Sequence, residues 1–303
     1  FGTSPKVTAD PYITQGSAAT VGAYTGIAID HVNEVITLTQ NHTINELYDY
    51  CKWNLCQTAN IGEDGRFKPA AQLRAEFEAL LGGRDPASVL LLAVSKTFGP
   101  DAVLEAARAG QHAFGENYLQ EAVEKMAALR QMGAPTLQWH CIGPVQSNKT
   151  RLVAEHFDWM HTVDRLKVAQ RLSDQRPAHL PPLQVCIQIN VDGGANKSGV
   201  APQEALALAQ SVAVLPQLCL RGLMSIPEPA TGFDAQYALH LRAREVFDTI
   251  RASGLPGLAG FDTLSMGMTD DLDAAIAAGS TMVRVGTGIF GRRARPEASD
   301  TPI

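Results

Sequence analysis

Eight apolar runs of strand length recur over most of the chain, each but the last followed by a stretch of helical period. The runs cover 88–94, 112–114, 137–142, 159–163, 183–189, 218–225, 261–265 and 281–285. Between them, 100–109, 118–132, 148–156, 165–176, 202–214, 234–253 and 270–278 place apolar residues at amphipathic helical spacing. The first run is apolar throughout rather than alternating, as expected of a strand covered on both faces. Strands separated by helical crossovers predict a parallel sheet. Eight such units within residues 67–303 match a closed (β/α)₈ barrel of the TIM type. The pattern leaves an open doubly wound sheet as the alternative. Beyond the last run 18 residues remain (303 − 285), short for a full outer helix. The amphipathic stretch 70–81 is expected to fill that place from in front of the first strand.

Residues 1–66 have a different texture and are expected to form a small β-hairpin and helix module, a fusion or extra domain. Within 25–39 two β-rich runs flank a polar turn, which predicts a hairpin. A helix is expected next: Thr43 and Glu46 have capping-box spacing, and Ile44, Leu47, Tyr48, Cys51 and Leu55 share a face. The segment 60–66 reads as a linker.

Composition narrows the function classes. Of 303 residues, 45% are hydrophobic and 18% charged, an ordinary balance for a globular protein. A net charge of −6 leaves no electrostatic footprint for nucleic acid or an anionic membrane. No apolar run reaches the roughly 18 residues of a membrane span, and no secretory signal is expected at the start. The five cysteines, Cys51, Cys56, Cys141, Cys186 and Cys219, are odd in number and irregularly spaced, so no disulfide framework is expected and a reducing cytoplasm is the simplest setting. No His, Cys or acidic set has metal-ligand spacing, and no Ser/His/Asp arrangement stands out.

In barrels of this kind the working face lies at the carboxyl ends of the strands. Lys96 stands two residues past the end of the first run. A lysine in the barrel mouth has its ammonium disfavoured by burial and suits an amine nucleophile that forms an imine with an aldehyde; the competing reading is a lysine that snorkels to solvent. The last two strands end in glycine-rich turns containing Ser265, Gly267, Gly286 and Thr287. Such loops often take phosphate in this fold, or are ordinary tight turns. Arg284 stands inside an apolar strand and needs a partner or a ligand. Gly286, Gly288 and Gly291 have G-x-G-x-x-G spacing, but only twelve residues follow, so the motif opens no dinucleotide-binding βαβ unit. His140 closes the third strand, set either to hydrogen-bond a ligand or to satisfy the barrel. Asn190 and Lys197 flank a glycine-rich loop after the fifth, where lysines are usually solvated.

Taken together, 91–97, 114–118, 139–149, 221–227 and 264–271, with a final Gly286-Thr287-Gly288-Ile289-Phe290-Gly291, resemble the pyridoxal phosphate homeostasis proteins over about residues 70–293. The resemblance implies a barrel like the alanine racemase N-terminal domain that holds pyridoxal 5′-phosphate (PLP) as an internal aldimine and buffers or delivers it in vitamin B6 homeostasis, with no substantial turnover. It makes Lys96 the Schiff-base lysine. Ser265, Gly267, Gly286 and Thr287 would hold the phosphate, and Arg284 would face the pyridine nitrogen. Asn117, His140 and Met224 are counted with the cofactor-binding residues, and Lys197 is a candidate relay. Nothing in the family matches residues 1–66, which fit a protein-interaction module better than the barrel does. The partners implied are PLP and PLP-dependent apoenzymes, for a monomer or weak dimer in the cytoplasm. The rival reading is a PLP-dependent amino-acid racemase of the alanine racemase fold type, which needs a second β domain and a second base.

Overall fold

The structure, a computed structural model, describes residues 27–30, 35–38, 79, 81–108, 110–193 and 198–290. Strands β1 (Ile27–Asp30) and β2 (Val35–Leu38) pair antiparallel, as the polar turn between two β-rich runs predicts. The helix expected after them, the linker, and all of 70–81 but Ala79 and Leu81 lie outside the described residues.

The eight expected runs become β3 (Leu90–Val94), β4 (Ala113–Glu116), β5 (Gln138–Cys141), β6 (Trp159–Val163), β7 (Leu183–Ile189), β8 (Leu218–Ser225), β9 (Thr263–Ser265) and β10 (Met282–Val285). They close in the order β10-β3-β4-β5-β6-β7-β8-β9, each pair parallel. Closure rests on β10 against β3, where Met282 to Val285 align with Leu90 to Ala93. That pairing decides against the open sheet. The helices are α1 (Pro100–Arg108), α2 (Leu119–Gln131), α3 (Thr150–His156), α4 (Leu166–Gln175), α5 (Pro202–Ala213), α6 (Phe233–Ala252), α7 (Leu272–Ala277) and α8 (Thr287–Phe290).

Each outer helix docks one stripe on the sheet. In α4, Val168, Ala169, Leu172 and Ser173 are buried, and in α6, His240, Ala243, Phe247 and Ile250 are, one turn apart in each case. Proline opens both α1 and α5, where its missing N–H costs no helical bond. Arg84 ties the segment before β3 to the end of α7, donating to the Ile276 and Ser280 carbonyls at 2.7 and 2.9 Å. A cation there answers the free carbonyls of a helix end.

Side chains alternate across the barrel wall. Leu91 and Ala93 join the large core between strands and helices, whereas Leu92 and Val94 join a smaller core inside the barrel with Ile142, Trp159, Cys186, Met224 and Met282. On β10 the same period sends Val283 and Val285 outward and leaves Met282 and Arg284 inside.

One backbone approach sets a stringent test. A Cβ added at Gly222 on β8 would sit 1.6 Å from the Thr263 carbonyl oxygen on β9. The oxygen belongs to the ladder and cannot swing away, so Gly222→Ala must push β8 and β9 apart. We expect a loss of about 3 kcal/mol, the upper end for overpacking, read as a lowered thermal midpoint; an unchanged melt would refute the close approach.

Candidate functional site

A cleft of about 280 Å³ opens at the carboxyl ends of the strands. Inward positions on β3 are Leu92 and Val94, and the next step of the alternation is Lys96, half-buried on the cleft wall. The loop after β4 contributes Asn117, whose Oδ1 is buried without a hydrogen-bond partner in the protein. Gly143 lets that loop pass, because a Cβ there would lie 2.5 Å from the Asn117 carbonyl oxygen. Such an acceptor in a cleft wall is open to a donor on a ligand or a water.

Arg284 reaches the cleft from inside the barrel and is only 4% exposed. Its Nη1 donates to Ser265 Oγ at 2.8 Å and its Nη2 to the Ser225 carbonyl at 3.0 Å. Burial lowers its pKa to about 10, with Asp271 and Cys186 pulling the other way, so it remains a cation at neutral pH. The partner that an arginine in an apolar strand requires is thus a serine and a backbone carbonyl.

Ser265 belongs to a polar chain across the barrel interior. His161 Nδ1 lies 3.1 Å from Ser265 Oγ, His161 Nε2 lies 2.9 Å from His140 Nδ1, and His140 Nε2 lies 3.0 Å from Gln138 Oε1. Both rings are fully buried. Burial lowers the His140 pKa to about 3, and burial with the neighbouring His140 and Arg284 holds His161 well below its ordinary value, so both rings are neutral. If Gln138 Oε1 accepts, the tautomers follow: each Nε2 carries the proton, and Ser265 donates its own to His161. In that arrangement Ser265 accepts from Arg284 and its own proton is committed to His161.

The residues expected around an anion separate accordingly. Gly286 and Thr287 line the cleft, but Ser265, 0% exposed, does not. Thr269, which the sequence did not single out, stands in its place, with its Oγ1 3.4 Å from Thr287 Oγ1. The turn that carries Thr269 is clamped. Asp271 Oδ1 accepts from the Met268 N–H at 2.6 Å, and Oδ2 is 3.0 Å from His240 Nε2. Burial raises the Asp271 carboxyl, but these two bonds outweigh it and hold it below the usual carboxylate range. Gly267 starts the turn at φ +92°, with a virtual Cβ 2.5 Å from Ala275 Cβ, so no other residue fits. His140 and Met224 are buried in the barrel interior and do not line the cleft. Lys197 lies outside the described residues.

Beneath Lys96 is a second polar cluster. Lys125 Nζ is 2.6 Å from Glu116 Oε1, 2.8 Å from the Ser95 carbonyl and 3.2 Å from Glu121 Oε1. Sequence reading passed over all three side chains because each sits in an ordinary helix or strand-end context. His161, by contrast, carried a usable signal: a polar residue in mid-run, like Arg284.

A larger cleft of about 330 Å³ lies at the amino ends of β5 to β7, where Arg176 is held by the Pro181, Ala154 and Phe157 carbonyls. It is at the opposite end from Lys96, and barrels of this type work at the carboxyl face.

Residues 71–294 match the family of the alanine racemase N-terminal domain. The chain is 57% identical over 226 residues to the pyridoxal phosphate homeostasis protein of Pseudomonas aeruginosa, covering 75% of this chain and 93% of that one. It is 52% identical over 225 residues to that of Escherichia coli K12, covering 74% and 94%. The structure of PipY from Synechococcus elongatus PCC7942 with PLP bound aligns with a TM-score of 0.61 at 38% identity, covering 72% of this chain and 99% of that one. Alanine racemase of Clostridium difficile 630, at 18% identity and a TM-score of 0.53 over 72% of this chain and 55% of that one, shares the fold alone. By the extent of these matches, the chain belongs to the pyridoxal phosphate homeostasis protein family, whose barrel is that of the alanine racemase N-terminal domain.

Proposed function

We propose that this chain binds PLP in the carboxyl-face cleft, holds it on Lys96, and stores and hands on the cofactor with no substantial turnover of its own. The observation that carries the reading is the convergence of Lys96, Asn117, Arg284, Thr269 and Thr287 on one cleft of about 280 Å³. The names of its relatives and the PLP-bound PipY structure support it.

When bound, PLP supplies an aldehyde that condenses with a lysine amine and a phosphate that needs hydrogen-bond donors. Lys96 offers the amine. Thr269 and Thr287 offer hydroxyl donors, and the Asp271–His240 clamp keeps their spacing. Asn117 Oδ1 offers an acceptor. Arg284, anchored by Ser265, presents a fixed cation, and a ring nitrogen placed against it would stay unprotonated. That weakens the ring as an electron sink, which suits holding the cofactor better than carbanion chemistry.

A racemase needs an acid–base group on each face of its substrate. Among the described residues lining the cleft, the ionisable ones are Lys96, Asp270 and Arg284. Because Arg284 would limit the ring as an electron sink, we expect negligible racemisation of alanine and serine even with Asp270 at the cleft, and measurable restoration of activity when the PLP-loaded protein is mixed with a PLP-dependent apoenzyme. Lys197→Ala is expected to leave PLP bound but slow its release. Robust racemase turnover that vanishes in Lys96→Ala would replace the carrier reading with the enzyme one.

We place the protein in the cytoplasm as a monomer or weak dimer, with residues 1–66 as an additional small module. In support of a reducing setting, Cys141 and Cys186 are buried free thiols whose pKa burial pushes up to about 12, which makes them inert. No helix among the described residues is long and apolar enough to cross a membrane.

A further inference from the structure

Both peptide groups that bracket Lys96 are bound by one ion cluster, buried at Lys125 and Glu116 and half-exposed at Glu121. Lys125 Nζ donates to the Ser95 carbonyl, the peptide before Lys96, at 2.8 Å. Glu121 Oε1 accepts from the Thr97 N–H, the peptide after it, at 2.8 Å. The two halves are joined, because Lys125 Nζ also contacts Glu121 Oε1 at 3.2 Å and Glu116 Oε1 at 2.6 Å. Ser95 Oγ donates to the same Glu116 oxygen at 2.7 Å. All three ammonium donors are thereby directed, and the side chains of Lys125 and Glu116 are 3% and 0% exposed.

The segment so held is strained. Thr97 has φ +70°, the only positive φ at a non-glycine among the described residues. A β-branched residue is disfavoured there. The left-handed turn brings the chain sharply off β3 toward α1 while Lys96 keeps the inward direction of Leu92 and Val94. The Phe98 N–H donates to the Ser95 carbonyl at 3.1 Å and closes the turn; without the Lys125 and Glu121 bonds on its two peptides, a threonine would still relax toward ordinary φ and re-aim the residue before it.

We propose that Lys125, Glu116 and Glu121 form a positioning cluster that holds Thr97 in its left-handed conformation and thereby aims Lys96 into the cleft. The inference rests on the reading of Lys96 as the PLP-holding lysine. Lys125, though a buried lysine close to the cleft, acts through the backbone and does not itself take the cofactor.

The test uses Glu121, which is half-exposed, because removing Lys125 would leave two carboxylates facing each other in the interior. In Glu121→Ala, total PLP bound should stay at the unaltered level, while the violet absorbance of the Lys96 linkage should appear about tenfold more slowly, the scale of a small misplacement of a reacting group. Glu121→Gln keeps an acceptor oxygen for the Thr97 N–H and should restore the rate. So should adding Thr97→Gly to Glu121→Ala, because glycine adopts positive φ without strain. Without any cofactor, amide hydrogen exchange at Thr97 should quicken about tenfold in Glu121→Ala and not in Glu121→Gln. An unaltered rate in Glu121→Ala, or a slow rate that neither glutamine nor glycine rescues, would overturn the positioning role alone. Absence of the violet band from the unaltered protein would overturn the functional reading itself.

Discussion

Lys96→Ala abolishes the violet absorbance of the PLP-loaded protein and leaves nothing for borohydride to trap. The expectation follows from where the lysines are. Lys96 continues the inward series of β3 and lies on the cleft wall. Lys125 is buried, but its ammonium is engaged by Glu116, Glu121 and the Ser95 carbonyl. Lys149 and Lys167 are exposed and do not line the cleft. None of the other described lysines is placed to substitute, so any violet band that survives in Lys96→Ala should disappear when Lys197→Ala is added. PLP itself should still bind, more weakly, through its phosphate contacts, and should appear as the free aldehyde in the spectrum. Peptide mapping of the reduced, unaltered protein checks the assignment directly. A pyridoxyl label on Lys125, Lys149 or Lys197 would remove Lys96 from its role.

Replacing both cleft threonines, Thr269→Val with Thr287→Val, weakens PLP binding while leaving unphosphorylated pyridoxal nearly unaffected. A hydrogen bond to a charged group is worth about 1.5–3 kcal/mol. Two lost together amount to about 3–6 kcal/mol, roughly a hundredfold to ten-thousandfold in affinity. Valine preserves the shape of threonine, so the change isolates the hydroxyls. Ser265→Ala should behave differently. It deletes the acceptor of Arg284 Nη1 and the donor to His161 Nδ1, and touches no cleft surface. Its effect should fall on PLP and pyridoxal alike, because both present the same ring to Arg284. Titration of each variant with each ligand separates the cases. Equal losses for the two ligands in the threonine pair would end the phosphate assignment, and a PLP-selective loss in Ser265→Ala would return the role to that serine.

The contrast between Ser265 and Thr269 marks where reading along the chain stops. Both hydroxyls lie in the same short segment, and the glycine between them correctly signals a turn, since Gly267 sits at φ +92°. Which hydroxyl faces the cleft depends on how many residues the turn uses before the chain leaves the barrel wall. That number is set by the Asp271 carboxylate, which bonds the Met268 N–H from one side and His240 of α6 from the other. His240 is thirty-one positions away, and no local pattern announces it. Arg284 was legible because a permanent cation in an apolar run is costly wherever it occurs; its partner on another strand was not.

The order of elements and the carboxyl-end placement of Lys96, Gly286 and Thr287 were determined by sequence alone, because strand and helix periods are local properties of the chain. The six glycine- and charge-bearing motifs likewise sufficed to place it among its relatives. Closure of the barrel was a tertiary decision: an apolar run covered on both faces looks the same in an open sheet, and only the β10–β3 register joins the edges. The same structure decided which side of each strand faces inward. Where Leu90 to Val94 are apolar throughout, no alternation marks the inner face, and it takes the closed wall to send Leu92, Val94 and then Lys96 to one side. The ion cluster behind Lys96 is the extreme case. Its members stand in β4 and α2, their bonds end on the loop after β3, and their contribution exists only once those elements pack together.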